Sequence, residues 1–99
     1  MEKVRKLVEN YFEKYAHTVI PASTLLNDNA KEHIINIGTS ILCTKWNVGY
    51  PGGSFVQAVI DNNLMEAVGR ADSINVNALK FYCQLMYNVG MPFGIDKNC

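Results

Sequence analysis

The chain has 99 residues, of which 48% are hydrophobic and 10% aromatic but only 18% charged, and its nine basic and nine acidic residues cancel. That length builds one domain. A neutral balance disfavours nucleic acid as a partner, because a basic face supplies most of the affinity for phosphate backbones.

No run approaches the roughly 20 apolar residues of a membrane span, so no membrane is expected as a partner. The charged, amphipathic start does not read as a secretory leader. Cys43, Cys83 and Cys99 are odd in number and lack a C-x-x-C spacing, which argues against a disulfide framework. A reducing cytoplasm is the expected setting. Apolar content this high on so small a body predicts surface left over outside the monomer core, and a homo-oligomer is the natural outlet.

Glu2–Tyr15 carries Val4, Leu7, Val8, Tyr11, Phe12 and Tyr15 at helical spacing, one apolar stripe opposite a charged face. It can pack on the core or serve as a subunit contact, since aromatic residues suit interface cores. His17–Asn29 reads as a connector with one short turn around Ala22–Leu26, because Pro21 and Asn27-Asp28-Asn29 bring turn and capping chemistry. Ala30–Asn47 fits a helix through Ile34, Ile37, Ile41 and Trp46, capped by Asp28 or Asn29. Its β-branched content would also suit a strand.

Ser54–Ile60 reads as a helix launched by Pro51-Gly52-Gly53-Ser54. A joint at Asp61-Asn62-Asn63 follows, then a short helix over Leu64–Ala71 with Leu64, Val68 and Ala67 or Ala71 inward. Asp72 or Ser73 caps a last long helix over Ile74–Val89, with Ile74, Ala78, Phe81, Leu85 and Val89 as its stripe and Gly90 and Pro92 as its stop. Phe93–Cys99 is a polar tail. The fold class is therefore all-α, a small bundle of about five helices. It forms a single domain over 1–99, with the first helix and connector in 1–29, the helical core in 30–92 and the tail in 93–99.

Chemistry-bearing residues gather in the second half. The turn before Ser54 offers backbone amides at a helix start, where an anion is stabilised. No Gly-Lys-Ser/Thr follows, so it is not a nucleotide-hydrolysing loop, and a plain capping turn is the simpler explanation. Arg70 can aim its fork at a phosphate or form an ion pair. Asp72 has an evident use as a cap. Asn62, Asn63, Asn75, Asn77 and Asn88 beside Tyr50, Tyr82 and Tyr87 could read a nucleobase, and they are also ordinary turn residues. The candidate ligand contacts are Tyr50, Gly52, Gly53, Ser54, Asn62, Asn63, Arg70, Asp72 and Asn75.

His17 and His33 lack metal-ligand spacing, Cys43 and Cys83 sit on apolar stretches where buried thiols are common, and no nucleophile–base set can be assigned. An enzyme, a cofactor and a metal are not expected.

Tyr50–Asn88 resembles a pattern found in short proteins of tailed bacteriophages. The residues that carry it are Pro51-Gly52-Gly53-Ser54-Phe55, Ala58-Val59, Asn62-Asn63-Leu64, Arg70-Ala71-Asp72-Ser73-Ile74-Asn75, and Tyr87-Asn88 ahead of Pro92. The joint departs from the commoner Asn-Asp, which removes a carboxylate. The resemblance implies a phage accessory protein acting in the host cytoplasm. It would be a counter-defence binder that sequesters a small phosphate-bearing or nucleotide-derived signal without catalysis. The alternative is an inhibitor that docks on a host defence or transcription protein, with a helix-turn-helix-like regulator third.

Overall fold

A computed structural model describes residues 2–49 and 51–90, with the backbone alone at Leu64. The described residues form seven helices and no strand: α1 (Glu2–Val19), α2 (Ala22–Leu25), α3 (Ala30–Trp46), α4 (Ser54–Ile60), α5 (Leu64–Arg70), α6 (Ser73–Asn77) and α7 (Leu79–Asn88). The all-α expectation holds, and the strand alternative for residues 34–44 does not.

α3 is the axis of the bundle. Nine of its 17 residues are buried, from Ala30 to Trp46, and they occupy more than one face, as in a helix enclosed by neighbours. α1, α4, α6 and α7 all pack against it. Asn29, one of the two expected caps, holds the N-cap position, though without a side-chain bond, and its own N–H donates to Asn27 Oδ1 at 2.9 Å. At the other end Asn47 takes the left-handed conformation, with φ of 58°. Val48 N–H closes on Cys43 O, satisfying one of the helix's terminal carbonyls.

Gly38 sets how closely the bundle closes. A Cβ there would stand 2.9 Å from Val8 Cγ1 on α1 and 3.0 Å from Leu85 Cδ2 on α7. Two neighbours therefore use the space that one missing methyl leaves. Around this crossing lie Val4, Val8, Phe12, Ile34, Ile41, Leu42, Phe81, Tyr82 and Leu85, all buried.

Three expectations need correction. α1 runs to Val19 rather than ending at Tyr15, because nothing opposes the helix until Ile20, which precedes Pro21 and so disfavours the helical region. α5 turns Ala67 inward as expected but leaves Val68 46% exposed. Seven residues packed mainly on α4 offer only one narrow inner edge.

The third concerns the last helix, which is broken at Ala78 into α6 and α7. Ser73-Ile74-Asn75-Val76-Asn77 is a run of weak helix formers, and its amide side chains bond elsewhere. Asn77 Nδ2 donates to Thr24 Oγ1 at 3.0 Å. Asn75 Oδ1 accepts from Tyr82 Oη–H at 2.7 Å. The proposed stop at Pro92 and the tail Phe93–Cys99 lie outside the described residues.

The radius of gyration is 12.6 Å, matching the roughly 13 Å of a compact domain of this length. Gly38→Ala should lower stability by about 1 kcal/mol. Overpacking against the stiff Val8 outweighs the gain in helix propensity. Thermal unfolding followed by circular dichroism would show the loss, and an unchanged or raised Tm would mean that α1 and α7 are free to move apart.

Candidate functional site

The glycine turn is anchored to α3. Gly52 N–H donates to Thr44 Oγ1 at 2.8 Å, and Gln57 Nε2 donates to Gly52 O at 3.3 Å. A Cβ on Gly52 would lie 2.5 Å from Ser40 Oγ and 2.6 Å from Val56 Cγ1, whereas one on Gly53 would meet nothing. Gly53 is the N-cap of α4 and Ser54 is exposed at its start. The Gly52 amide is therefore engaged within the fold.

The remaining sequence-selected residues have structural partners of their own. Asn63 caps α5 by accepting Glu66 N–H at 3.1 Å. Asn62 beside it is exposed and adopts φ of 58°, a conformation Asn tolerates better than most residues. Arg70 Nε lies 2.9 Å from Glu66 Oε1, one turn back on the exposed face of α5. Such a pair contributes about 0.3–0.5 kcal/mol. Tyr50 lies outside the described residues.

Asp72 and Asn75 form the one tight cluster in this set. Asp72 Oδ1 accepts Asn75 N–H at 2.7 Å, and its Oδ2 stands 3.1 Å from His33 Nε2. That nitrogen is sealed from solvent, and its approach to the carboxylate lacks hydrogen-bond geometry. Burial raises the Tyr82 phenol well above its ordinary pKa, and the charge of Asp72 adds to the effect.

The fold places these groups apart. Gly52 rests against Ser40 and Thr44 near the end of α3, while Asp72 rests against His33 near its start. Eleven residues of helix separate His33 from Thr44, roughly 16 Å.

A further opening lies elsewhere. It is an open groove of about 680 Å³ between α1 and α7. α1 supplies Leu7, Asn10, Tyr11, Lys14, Tyr15 and Thr18. These are two adjacent helical rows, one with Leu7, Tyr11 and Tyr15 and the other with Asn10, Lys14 and Thr18, each stepping by four. The facing wall is Gln84 and Asn88, again one turn apart, leading to Val89 and Gly90. Asn88 Nδ2 donates to Tyr11 Oη at 3.0 Å, which joins the two helices across the groove.

The sequence stripe on α1 therefore divides. Val4, Val8, Phe12 and Ala16 enter the core, whereas Leu7 and Tyr11 are half-buried and Tyr15 is 44% exposed. Of the groove residues only Asn88 stands out in the sequence for its polar chemistry. The signal for the rest was the four-residue repeat of Asn10, Lys14 and Thr18 beside the aromatic row.

Two further points bear on chemistry. Cys43 is buried, but Cys83 is at the surface rather than in the core, and partial burial pushes its thiol upward. Among the described residues no group of three His, Cys, Asp or Glu side chains is arranged to hold a metal, and no helix is long and apolar enough to cross a membrane. No family model, curated protein or solved structure matches the chain.

Two outcomes are expected. Gly52→Ala should cost about 1–3 kcal/mol by overpacking against Ser40 and Val56, while Gly53→Ala should be neutral or slightly stabilising by restricting the unfolded chain. Chemical denaturation of both variants checks this, and equal effects would contradict the packing at Gly52.

Tyr82 holds its proton in the folded state at pH values where the unfolded chain releases it. Its contribution is thus complete below about pH 10 and falls as the pH rises further. The stability of Tyr82→Phe should accordingly decline less between pH 9 and 11 than that of the parent. Parallel declines would show that the phenol is not shielded.

Proposed function

We propose that this protein binds a small phosphate-bearing or nucleotide-derived ligand and holds it without transforming it. In this reading it is a tailed-phage accessory protein acting against host defence in the host cytoplasm, and it works as a homo-oligomer. The α1–α7 groove carries the proposal. Its walls combine tyrosine rings, neutral amides, a hydroxyl and the ammonium of Lys14. This set supports recognition by stacking and hydrogen bonding, and it presents no side chain poised as a nucleophile beside a base. The phage resemblance supplies the biological setting.

A second reading, docking on a host protein, draws on the outer surface of the helices. Met65 and Val68 are 87% and 46% exposed on one face of α5, and Tyr87 is 80% exposed on α7. Apolar side chains grouped on one face can mark an interaction surface.

The test is native mass spectrometry of the purified protein after exposure to a small-molecule extract of infected bacteria. The ligand is then released by heat and compared with the input. An adduct released unchanged, and lost from Lys14→Gln, supports sequestration at the groove. Loss from Arg70→Ala instead would move the site to α5. Release of an altered molecule would make the protein an enzyme and end this reading.

A further inference from the structure

The groove is the outer end of a ladder of aromatic rings that begins deep in the core. Phe55 and Tyr82 stand 5.8 Å apart between centroids, Tyr82 and Phe81 6.1 Å, Phe81 and Tyr11 5.8 Å, and Tyr11 and Tyr15 4.6 Å. Each spacing lies within the range of attractive ring contacts. The inner rungs are buried and Tyr15, the last, is 44% exposed beside the groove. Tyr11 is held from behind by Phe81 and at its hydroxyl by Asn88. Its outward neighbour therefore projects from a fixed base, and the next place in the ladder is open.

The groups around that place select what fills it. Asn10 and Gln84 bring amides that both donate and accept, and Asn88 keeps a carbonyl oxygen after donating to Tyr11. This is the complement of a heterocycle edge. Among the described residues, Lys14 is the one cation on the walls and no carboxylate lines them.

Nearby charges do not cancel Lys14. Glu13 is engaged by Lys31 at 2.7 Å. The negative carbonyl end of α7 is answered by Lys45, whose Nζ donates to Met86 O at 2.6 Å. That end carries roughly half a unit charge and is met by a full one. Lys14 is left to face a ligand anion, and one ammonium matches one phosphate better than a chain of three.

We infer that the groove takes a free nucleoside monophosphate or a close analogue: one planar heterocycle stacked on Tyr15 with a single phosphate at Lys14. The inference rests on the sequestration reading and names the ligand class of the same site.

The test is titration of the full chain with adenosine and guanosine 5′-monophosphates, the parent nucleosides, a nucleoside triphosphate and inorganic phosphate. It is followed by amide chemical shifts and calorimetry. A monophosphate should perturb Asn10–Thr18 and Gln84–Gly90. The nucleoside should bind roughly tenfold more weakly and phosphate alone not measurably. Tyr15→Leu and Lys14→Gln should each weaken binding roughly tenfold, since a stacked base is worth about that factor or more. The Tm of Lys14→Gln should be unchanged because that side chain reaches solvent, whereas Tyr15→Leu should lower Tm slightly through the lost ring contact with Tyr11.

Tighter binding of the triphosphate, or equal binding of nucleoside and nucleotide, would overturn the single-phosphate assignment. If no nucleotide perturbs the groove but a component of the infected-cell extract does, this inference fails and sequestration stands. If neither perturbs it, both fall.

Discussion

The structure depends on one close approach. α3 brings a bare backbone, Gly38, to the point where Val8 of α1 and Leu85 of α7 meet it. Packing interiors are dense enough that a single methyl there would force the neighbours outward. Because both partners sit on the same notch, the angle and separation of α1 and α7 are set by α3. Everything outside that contact follows, including the opening whose two walls those helices provide.

This arrangement explains where the aromatic content goes. Phe12, Phe55, Phe81 and Tyr82 fill the core around α3, while the row through Tyr11 and Tyr15 climbs out along the edge of α1. The polar side chains around α6 have a different task. Asp72, Asn75, Asn77 and Tyr82 link α6 to α3, α2 and α7 through side chains, because five residues of helix bury too little apolar surface to hold themselves in place. Residues that looked like ligand chemistry in the sequence are thus occupied in fixing a short helix.

The two functional readings use different surfaces. Binding in the groove asks for rigid rings and unpaired amides, and the ladder from Phe55 to Tyr15 supplies the rigidity. Protein docking would use the side chains on α5 that its packing on α4 leaves outside.

The helical class, the boundaries of α4, the bulk of α3 and the cap at Asp72 were legible in the sequence, because periodicity and capping are local and depend on residues within a few positions of one another. The extra turn of α1 and the break at Ala78 were less so. The first depended on how far a helix continues when only Pro21 opposes it. The second depended on partners of Asn75 and Asn77 that come from α7 and α2.

The groove was the least legible feature. Asn10, Lys14, Thr18, Gln84 and Asn88 lie up to 78 positions apart in the chain, and nothing local says that α1 and α7 run beside each other. The sequence by itself determined which segments are helical and which side chains carry chemistry. Only the tertiary structure decided which of those side chains face one another, because Gly38, locally no more than a weak helix former, fixes the distance between the two helices that hold them.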